Sequence, residues 1–219
     1  MKEAHLQSPY PEQKEKTGLS IHNLSFLGNG PYSLDIEPGE CVGLTGKSGI
    51  GKTQMLRAVA DVIVHTGDCF LNGNSCMSVE PPEWRQTVAM VPAESFWWHD
   101  MVGDHFTEVD LQGEFGDLLK RLGFSPEVMD WQISRLSTGE RQRLSLIRTL
   151  ITNPAVLLLD EPTSALDRKM AHVVEEMIAD ICSAGKTICL WISHDMEQLS
   201  RVSSRVFQVT SSGLVMENI

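Results

Sequence analysis

Gly46-Lys47-Ser48-Gly49-Ile50-Gly51-Lys52-Thr53 follows the pattern GxxxxGK[ST]. Glycines let a backbone wrap a phosphate with its N–H groups, and a helix starting at the lysine adds its positive dipole end. In such a loop the cradle runs from Gly46 through Gln54, Lys52 reaches the β- and γ-phosphates, and the Thr53 hydroxyl binds Mg²⁺. That is the chemistry of holding a nucleoside triphosphate. A second constellation lies at Val156-Leu157-Leu158-Leu159-Asp160-Glu161, an apolar run ending in two carboxylates. A carboxylate at the C-terminal end of a strand beside a phosphate loop can hold hydrated Mg²⁺, which suits Asp160. The next carboxylate, Glu161, can polarise an attacking water as a general base.

Those groups need strands and helices to position them. Leu19 to Phe26 alternates like a strand, and the Gly28-Asn29-Gly30-Pro31 cluster after it is a turn. Cys41 to Leu44 is a short buried strand placed just before the glycine loop, and a helix is expected from about Lys52 to Asp61. Cys69 to Leu71 and Thr87 to Val91 are strand-like. From about Asp104 to Asp130 the pattern turns helical and amphipathic, with Leu118, Leu119 and Leu122 on one face. Gly139 to Thr152 reads as a helix stopped by Asn153-Pro154, and the all-apolar Val156 to Leu159 as a central parallel strand. Arg168 to Ser183 reads as helix, Thr187 to Ile192 as strand, Asp195 to Val202 as helix, and Val206 to Val209 with Leu214 to Met216 as a closing hairpin. The expected fold class is α/β: a phosphate-loop core with a mostly parallel sheet, an N-terminal antiparallel β part and a helical subdomain inserted at about residues 92–134.

With these elements in place the chain resembles the ABC ATPases. Leu136-Ser137-Thr138-Gly139-Glu140, followed by Arg141-Gln142-Arg143, is similar to their signature motif, LSGGQ-x-QR. Ser164-Ala165-Leu166-Asp167 resembles the D-loop, and Ser193-His194-Asp195 the switch histidine. The motifs run in the family's order and spacing from about Leu19 to Val209. The resemblance implies ATP as substrate, Mg²⁺ as its metal, and Lys52, Glu161 and His194 as catalytic residues, with His194 sensing the γ-phosphate. It implies a homodimer formed on ATP binding, in which Ser137, Gly139 and Glu140 of one chain close on ATP held by the other's phosphate loop. It also implies a membrane permease as partner, driven between inward- and outward-facing states. The stretch from Leu144 to Asp167, with Leu190-Trp191, resembles small ATPase subunits associated with metal or iron export.

The chain departs from the family pattern in three places along its motifs. The glutamine expected after Met90-Val91-Pro92 is Ala93, followed by Glu94; Glu94 or Gln86 substitutes for it, or coupling is altered. The adenine-stacking aromatic is expected where this chain has Leu27-Gly28, one residue beyond Phe26. Thr138 and Glu140 replace a glycine and a glutamine of the signature. Nearby, Phe96-Trp97-Trp98 cannot all face one core, so at least one is expected to be exposed as an anchor for the permease.

Composition narrows the rest. With 18 basic and 29 acidic residues the net charge is −11, which disfavours a general nucleic-acid surface. No run approaches the ~18 apolar residues that cross a bilayer. Met1 to Gly18 lacks the apolar core and cleavage site of a signal peptide and reads as a loosely ordered extension before an ATPase domain at 19–219. The chain is therefore expected in the cytoplasm, on the inner face of the membrane through its permease. Cys41, Cys182 and Cys189 sit in apolar segments and read as buried free thiols. His99, Asp100, Asp104 and His105 fit no closed metal site and read as a solvated polar stretch. Two rivals to transport stand: a soluble ABC-type ATPase outside transport, and a regulatory module that no longer hydrolyses ATP. The first is disfavoured by the lack of a coiled-coil insertion or second ATPase domain. The second is opposed by Lys52, Asp160, Glu161 and His194 and kept open by Ala93.

Overall fold

The computed structural model describes residues 17–107, 114–185 and 187–218. The expected extension at 1–18 lies outside them except for its last two residues. There Gly18 is tied to Asn72, its N–H donating to Asn72 Oδ1 at 2.9 Å.

Two sheets form the frame. The first is antiparallel, in the order β2 (Asn29–Ile36), β1 (Leu19–Phe26), β4 (Thr66–Leu71), β5 (Asn74–Ser75). The second has the order β10 (Gly213–Glu217), β9 (Arg205–Thr210), β3 (Cys41–Thr45), β8 (Ile188–Ile192), β7 (Val156–Asp160), β6 (Val88–Val91). Its pairings are parallel except at the β9–β10 hairpin. β7 and β8 are buried along their whole length, which their unbroken apolar sequence requires of central strands. Their side chains alternate between two cores. Leu158, Leu190 and Ile192 pack with β1, β2 and helix α1 (Lys52–Val59), whereas Leu157, Leu159 and Trp191 face helices α4 (Thr138–Leu150) and α5 (Arg168–Gly185).

The register of the parallel strands carries the chemistry. β3 ends at the glycine loop, β7 at Asp160, and β8 just before Ser193-His194, so three neighbouring strands deliver their C-terminal ends to one edge. Ligands of open α/β sheets gather at that edge.

The helical pattern expected from about Asp104 to Asp130 is met only in short pieces among the described residues. The described residues there hold a 3₁₀ turn at Gly103–His105, helix α3 at Phe115–Arg121 and another 3₁₀ turn at Pro126–Asp130. Gly123, at φ +80°, and Pro126 account for the break after α3, since neither continues a helix. The amphipathic reading of α3 itself holds, with Leu119 and Leu122 fully buried. The short helices α2 (Pro81–Thr87) and α6 (Met196–Val202) complete the chain. All five cysteines are buried and free, Cys69 and Cys76 as well as the three expected.

Candidate active site at the strand ends

The glycine loop closes into the N-terminus of α1. Gly46, Gly49 and Gly51 hold φ of +143°, +77° and +108°, a region that strongly favours glycine. A Cβ at Gly46 would lie 2.8 Å from the Val209 carbonyl oxygen, so β9 forbids a side chain there. At Gly49 it would meet nothing within 4 Å: the loop opens outward at that point. Gly51 caps α1 without a side-chain bond, and the first turn carries no acidic residue. The helix thus presents unpartnered N–H groups and no competing negative charge.

Lys52 folds back over this loop. Its Nζ donates to the carbonyls of Gly46 at 2.9 Å and Lys47 at 3.3 Å. It is buried, and that desolvation lowers its pKa, while Glu161 and Asp160 oppose the fall. The Thr53 hydroxyl donates to Asp160 Oδ2 at 2.9 Å, joining the phosphate loop to the end of β7. His194 Nε2 lies 3.1 Å from Glu161 Oε1 and 3.5 Å from Lys52 Nζ. One nitrogen cannot donate to the carboxylate and accept from the ammonium at once. The shorter contact makes Nε2–H the donor to Glu161. Lys52, Thr53, Asp160, Glu161 and His194, drawn from three separate segments, therefore converge on one edge.

A matching family model, that of the ABC transporter, spans residues 30–164. The chain belongs to the ABC transporter family. It is 32% identical over 213 residues to the probable iron export ATP-binding protein FetA of Escherichia coli (strain K12), covering 94% of each chain. It is 29% identical to a putative 2-aminoethylphosphonate import ATP-binding protein, PhnT, of Salmonella choleraesuis (strain SC-B67), covering 94% of this chain and 59% of that relative's length. Its backbone is similar to the dimeric ATP-binding cassette MJ0796, solved in a post-hydrolysis state bound to ADP and Pi. The TM-score is 0.76 at 19% identity, over 91% of this chain and 98% of the other. The molecule is the ATP-binding, ATP-hydrolysing subunit of an ABC transporter.

The cassette's signature residues lie at the start of α4. Ser137 Oγ accepts from the Glu140 N–H at 3.2 Å. Glu140 Oε2 in turn accepts from the Ser137 N–H at 2.8 Å and its hydroxyl at 2.7 Å. This is a complete capping box, and it explains why glutamate is tolerated in place of glutamine. The hydrogen bonds from Ser137 hold the Glu140 carboxyl below its ordinary pKa. Gly139 packs on the D-loop: a Cβ there would stand 2.8 Å from the Ala165 carbonyl oxygen. Ser137, Gly139 and Glu140 make no hydrogen bond to the phosphate loop among the described residues. Within one chain the structure does not unite signature and phosphate loop.

The departures resolve in physical terms. Phe26 is 3% exposed and stacks on Tyr32 with ring centroids 5.5 Å apart, so it belongs to the core. The next residue, Leu27, is 76% exposed at φ +48°, on the turn whose Asn29 side chain borders Gly51. Ala93 and Glu94 are exposed in the loop after β6, and Gln86 is exposed on α2. Among the described residues no hydrogen bond or ion pair links Glu94 or Gln86 to Thr53 or Asp160.

The polar stretch after that loop is not fully solvated. His105 is buried; its Nε2 accepts the N–H groups of Trp98 at 3.0 Å and His99 at 3.1 Å, and its Nδ1 faces the Met101 carbonyl at 3.0 Å. Nδ1–H is therefore the donor and the ring is neutral, in keeping with a pKa lowered by burial. The Arg148 guanidinium, in the last turn of α4, lies 4.6 Å from the Trp97 ring and 4.7 Å from the Trp98 ring. Trp97 packs on the core; Phe96 and Trp98 are mostly exposed.

Proposed function

We propose that this edge is one half of a composite ATPase site, with roles assigned residue by residue. The backbone from Gly46 through Thr53, with Gln54 next in α1, holds the phosphates, and Lys52 neutralises their outer charge at the mouth of the helix. Thr53 and Asp160 would hold Mg²⁺, which when bound offsets the charge between phosphates. Their fit is supported by an oxygen-only pair already brought within 2.9 Å, a donor set suited to a hard divalent cation. Leu27, the exposed apolar side chain beside the loop, covers the purine in place of an aromatic.

Glu161 takes a proton from the attacking water. His194 holds that carboxylate through Nε2–H and stands between it and Lys52, where a terminal phosphate would lie. The single observation that carries this reading is the convergence of Lys52, Glu161 and His194 within hydrogen-bonding reach. Changing Glu161 to Gln keeps the side chain's shape and removes the base. Hydrolysis should fall by on the order of 10²–10⁴-fold, with ATP affinity retained and an ATP-bound dimer accumulating. ATPase rate and light scattering with ATP and Mg²⁺ measure both; near-normal turnover would overturn the assignment.

The other half of the site comes from a second copy. Ser137 and Gly139 lie at a helix N-terminus that does not meet its own chain's phosphate loop, which supports closure across a homodimer on the partner's ATP. Opening and closing of that dimer drives a membrane permease. No described helix is long and apolar enough to cross a membrane. The cassette reaches the inner face of the bilayer through that partner. The permease selects the cargo. One relative is named for iron export and another for phosphonate import, so the shared cassette does not specify it.

A further inference from the structure

Glu161 sits on a strained turn. Its φ of +49° is left-handed, an unusual conformation for a residue with a side chain, and one that persists only where the surroundings impose it. On one side Gln142 of α4 imposes it: Nε2 donates to the Glu161 carbonyl at 2.9 Å, and Oε1 accepts from the Ala165 N–H at 3.2 Å. On the other side stands Gln198 of α6, which no motif singles out. Its Nε2 donates to Thr163 Oγ1 at 2.9 Å, two residues beyond Glu161, and to Glu175 Oε1 at 2.8 Å. Both amide hydrogens are committed, so the side chain has one orientation.

Glu175 is the anchor behind it. This α5 carboxylate is 6% exposed. Besides Gln198 it receives Arg201 through Nε and Nη2, each at 3.0 Å, and lies 3.0 Å from His172 Nδ1. Burial alone would raise its pKa; the bonds from Arg201, Gln198 and His172 outweigh that and hold it lowered. Such a carboxylate stays charged and immobile. Helix α6 also begins directly after His194-Asp195, with Asp195 Oδ1 capping the Gln198 N–H at 3.1 Å. One short helix therefore fixes the segment that bears His194 and grips the turn that bears Glu161. A pocket of about 390 Å³ is lined by Glu161, His194, Thr163, Gln198, Glu175 and Arg201, so the turn and the start of α6 face one shared space.

We propose that Gln198, held by Glu175, is a positioning residue for Glu161: the relay Thr163–Gln198–Glu175–Arg201 sets the turn that aims the Glu161 carboxylate at His194. The proposal rests on Glu161 being the base, and its test must separate the two. Thr163 is a half-buried loop residue, so its substitution should leave folding intact. In the whole chain, Thr163→Val removes the acceptor of the relay and Thr163→Ser retains it. Thr163→Val should lower kcat by about tenfold or more, because small misplacements of a catalytic group are expensive, while Thr163→Ser keeps most of it. KM for ATP should move by less than roughly twofold, since the phosphate loop is untouched. Gln198→Leu should lower kcat similarly and also lower Tm. The double variant Thr163→Val with Gln198→Leu should be no slower than the worse single, because both cut one chain. Unchanged kcat in Thr163→Val beside an inactive Glu161→Gln would overturn the relay alone. A raised KM at constant kcat would overturn it too. Normal turnover in Glu161→Gln would instead remove the base reading on which it stands.

Discussion

Two helix N-termini face the chemistry of this cassette, and they are finished in opposite ways. α1 starts at Gly51 with no side-chain cap and no acid in its first turn. α4 starts at Ser137 with a closed capping box, its own Glu140 carboxylate already occupying the place an anion would take. Both helices leave orphan N–H groups at their first turn. At α1 no side chain caps them; at α4 they are partly satisfied within the chain. In the proposed site, the first end is a preformed phosphate cradle, and the second would exchange part of its internal cap for a phosphate brought from outside. That asymmetry suits a site in which α1 binds first and α4 of a second copy closes later.

The comparison breaks most easily at α1. Lys52→Ala keeps the backbone cradle and removes its buried charge. Hydrolysis should fall on the order of 10²–10³-fold, as when one preorganised donor is lost from a catalytic site, and ATP affinity should weaken. Calorimetry and ATPase assays read both, and unchanged affinity would mean that α1 is not the phosphate site. Mixing Lys52→Ala chains with Ser137→Arg chains then tests the second helix. A mixed dimer carries both lesions in one site and neither in the other, so activity should partly return if α1 and α4 meet only across two copies.

How much of this was legible in the sequence depended on the range of the interactions. Gly46 through Thr53 and Val156 through Glu161 are local patterns in which residue type alone dictates backbone and charge, and the structure places them at neighbouring strand ends as expected. Which residue covers the adenine was not legible at Leu27-Gly28, because a shift of one residue reverses the face of a strand; the bulged register of β1 leaves Phe26 in the core and Leu27 exposed. The helical pattern expected from Asp104 to Asp130 is right for α3, where Leu118 and Leu119 lie and Leu122 follows, and is interrupted after it at Gly123 and Pro126. His105 was read as solvated because its partners are backbone groups of a loop, which leave no pattern in sequence. Gln198 was missed for a related reason: it is polar, buried and bonded to groups 35 and 23 residues away, so no spacing announces it.

The two helices differ at their other ends as well. α1 ends inside the core at Val59, whereas α4 ends with Arg148 stacked between Trp97 and Trp98. The signature helix is thereby tied to the loop in which Ala93 replaces the expected glutamine. If Trp98 is the permease anchor, Trp98→Ala should weaken permease binding by about 2 kcal/mol, the scale of an interfacial hot spot. Its loss of the Arg148 contact should lower stability by only about 0.5–1 kcal/mol, as for an exposed cation–π pair. Trp97→Ala should do the reverse, since Trp97 packs on the core. Co-purification and melting temperature, measured on both variants, separate docking from packing; a large fall in Tm for Trp98→Ala with binding retained would assign it to the core.

The smallest expected effect lies in the capping box itself. Glu140→Gln keeps an acceptor for the Ser137 N–H and removes the charge. At neutral pH the variant should be less stable by about 0.5 kcal/mol, a helix-dipole contribution at the low end because solvent screens it. The sign with pH follows from the Glu140 pKa being lowered on folding. Its charge stabilises the fold above the ordinary carboxylate range, and that stabilisation is lost as pH falls through the folded value. The stability difference between wild type and variant should therefore vanish in acid. Association should move the other way. Without a carboxylate at the mouth of α4, a partner's terminal phosphate meets less repulsion, so ATP-driven dimerisation should tighten severalfold at low salt and converge with wild type at high salt. Light scattering across a salt series reads this. Weaker association of Glu140→Gln at low salt would mean that the carboxylate helps recruit the partner's site, and the contrast between the two helix starts would have to be redrawn.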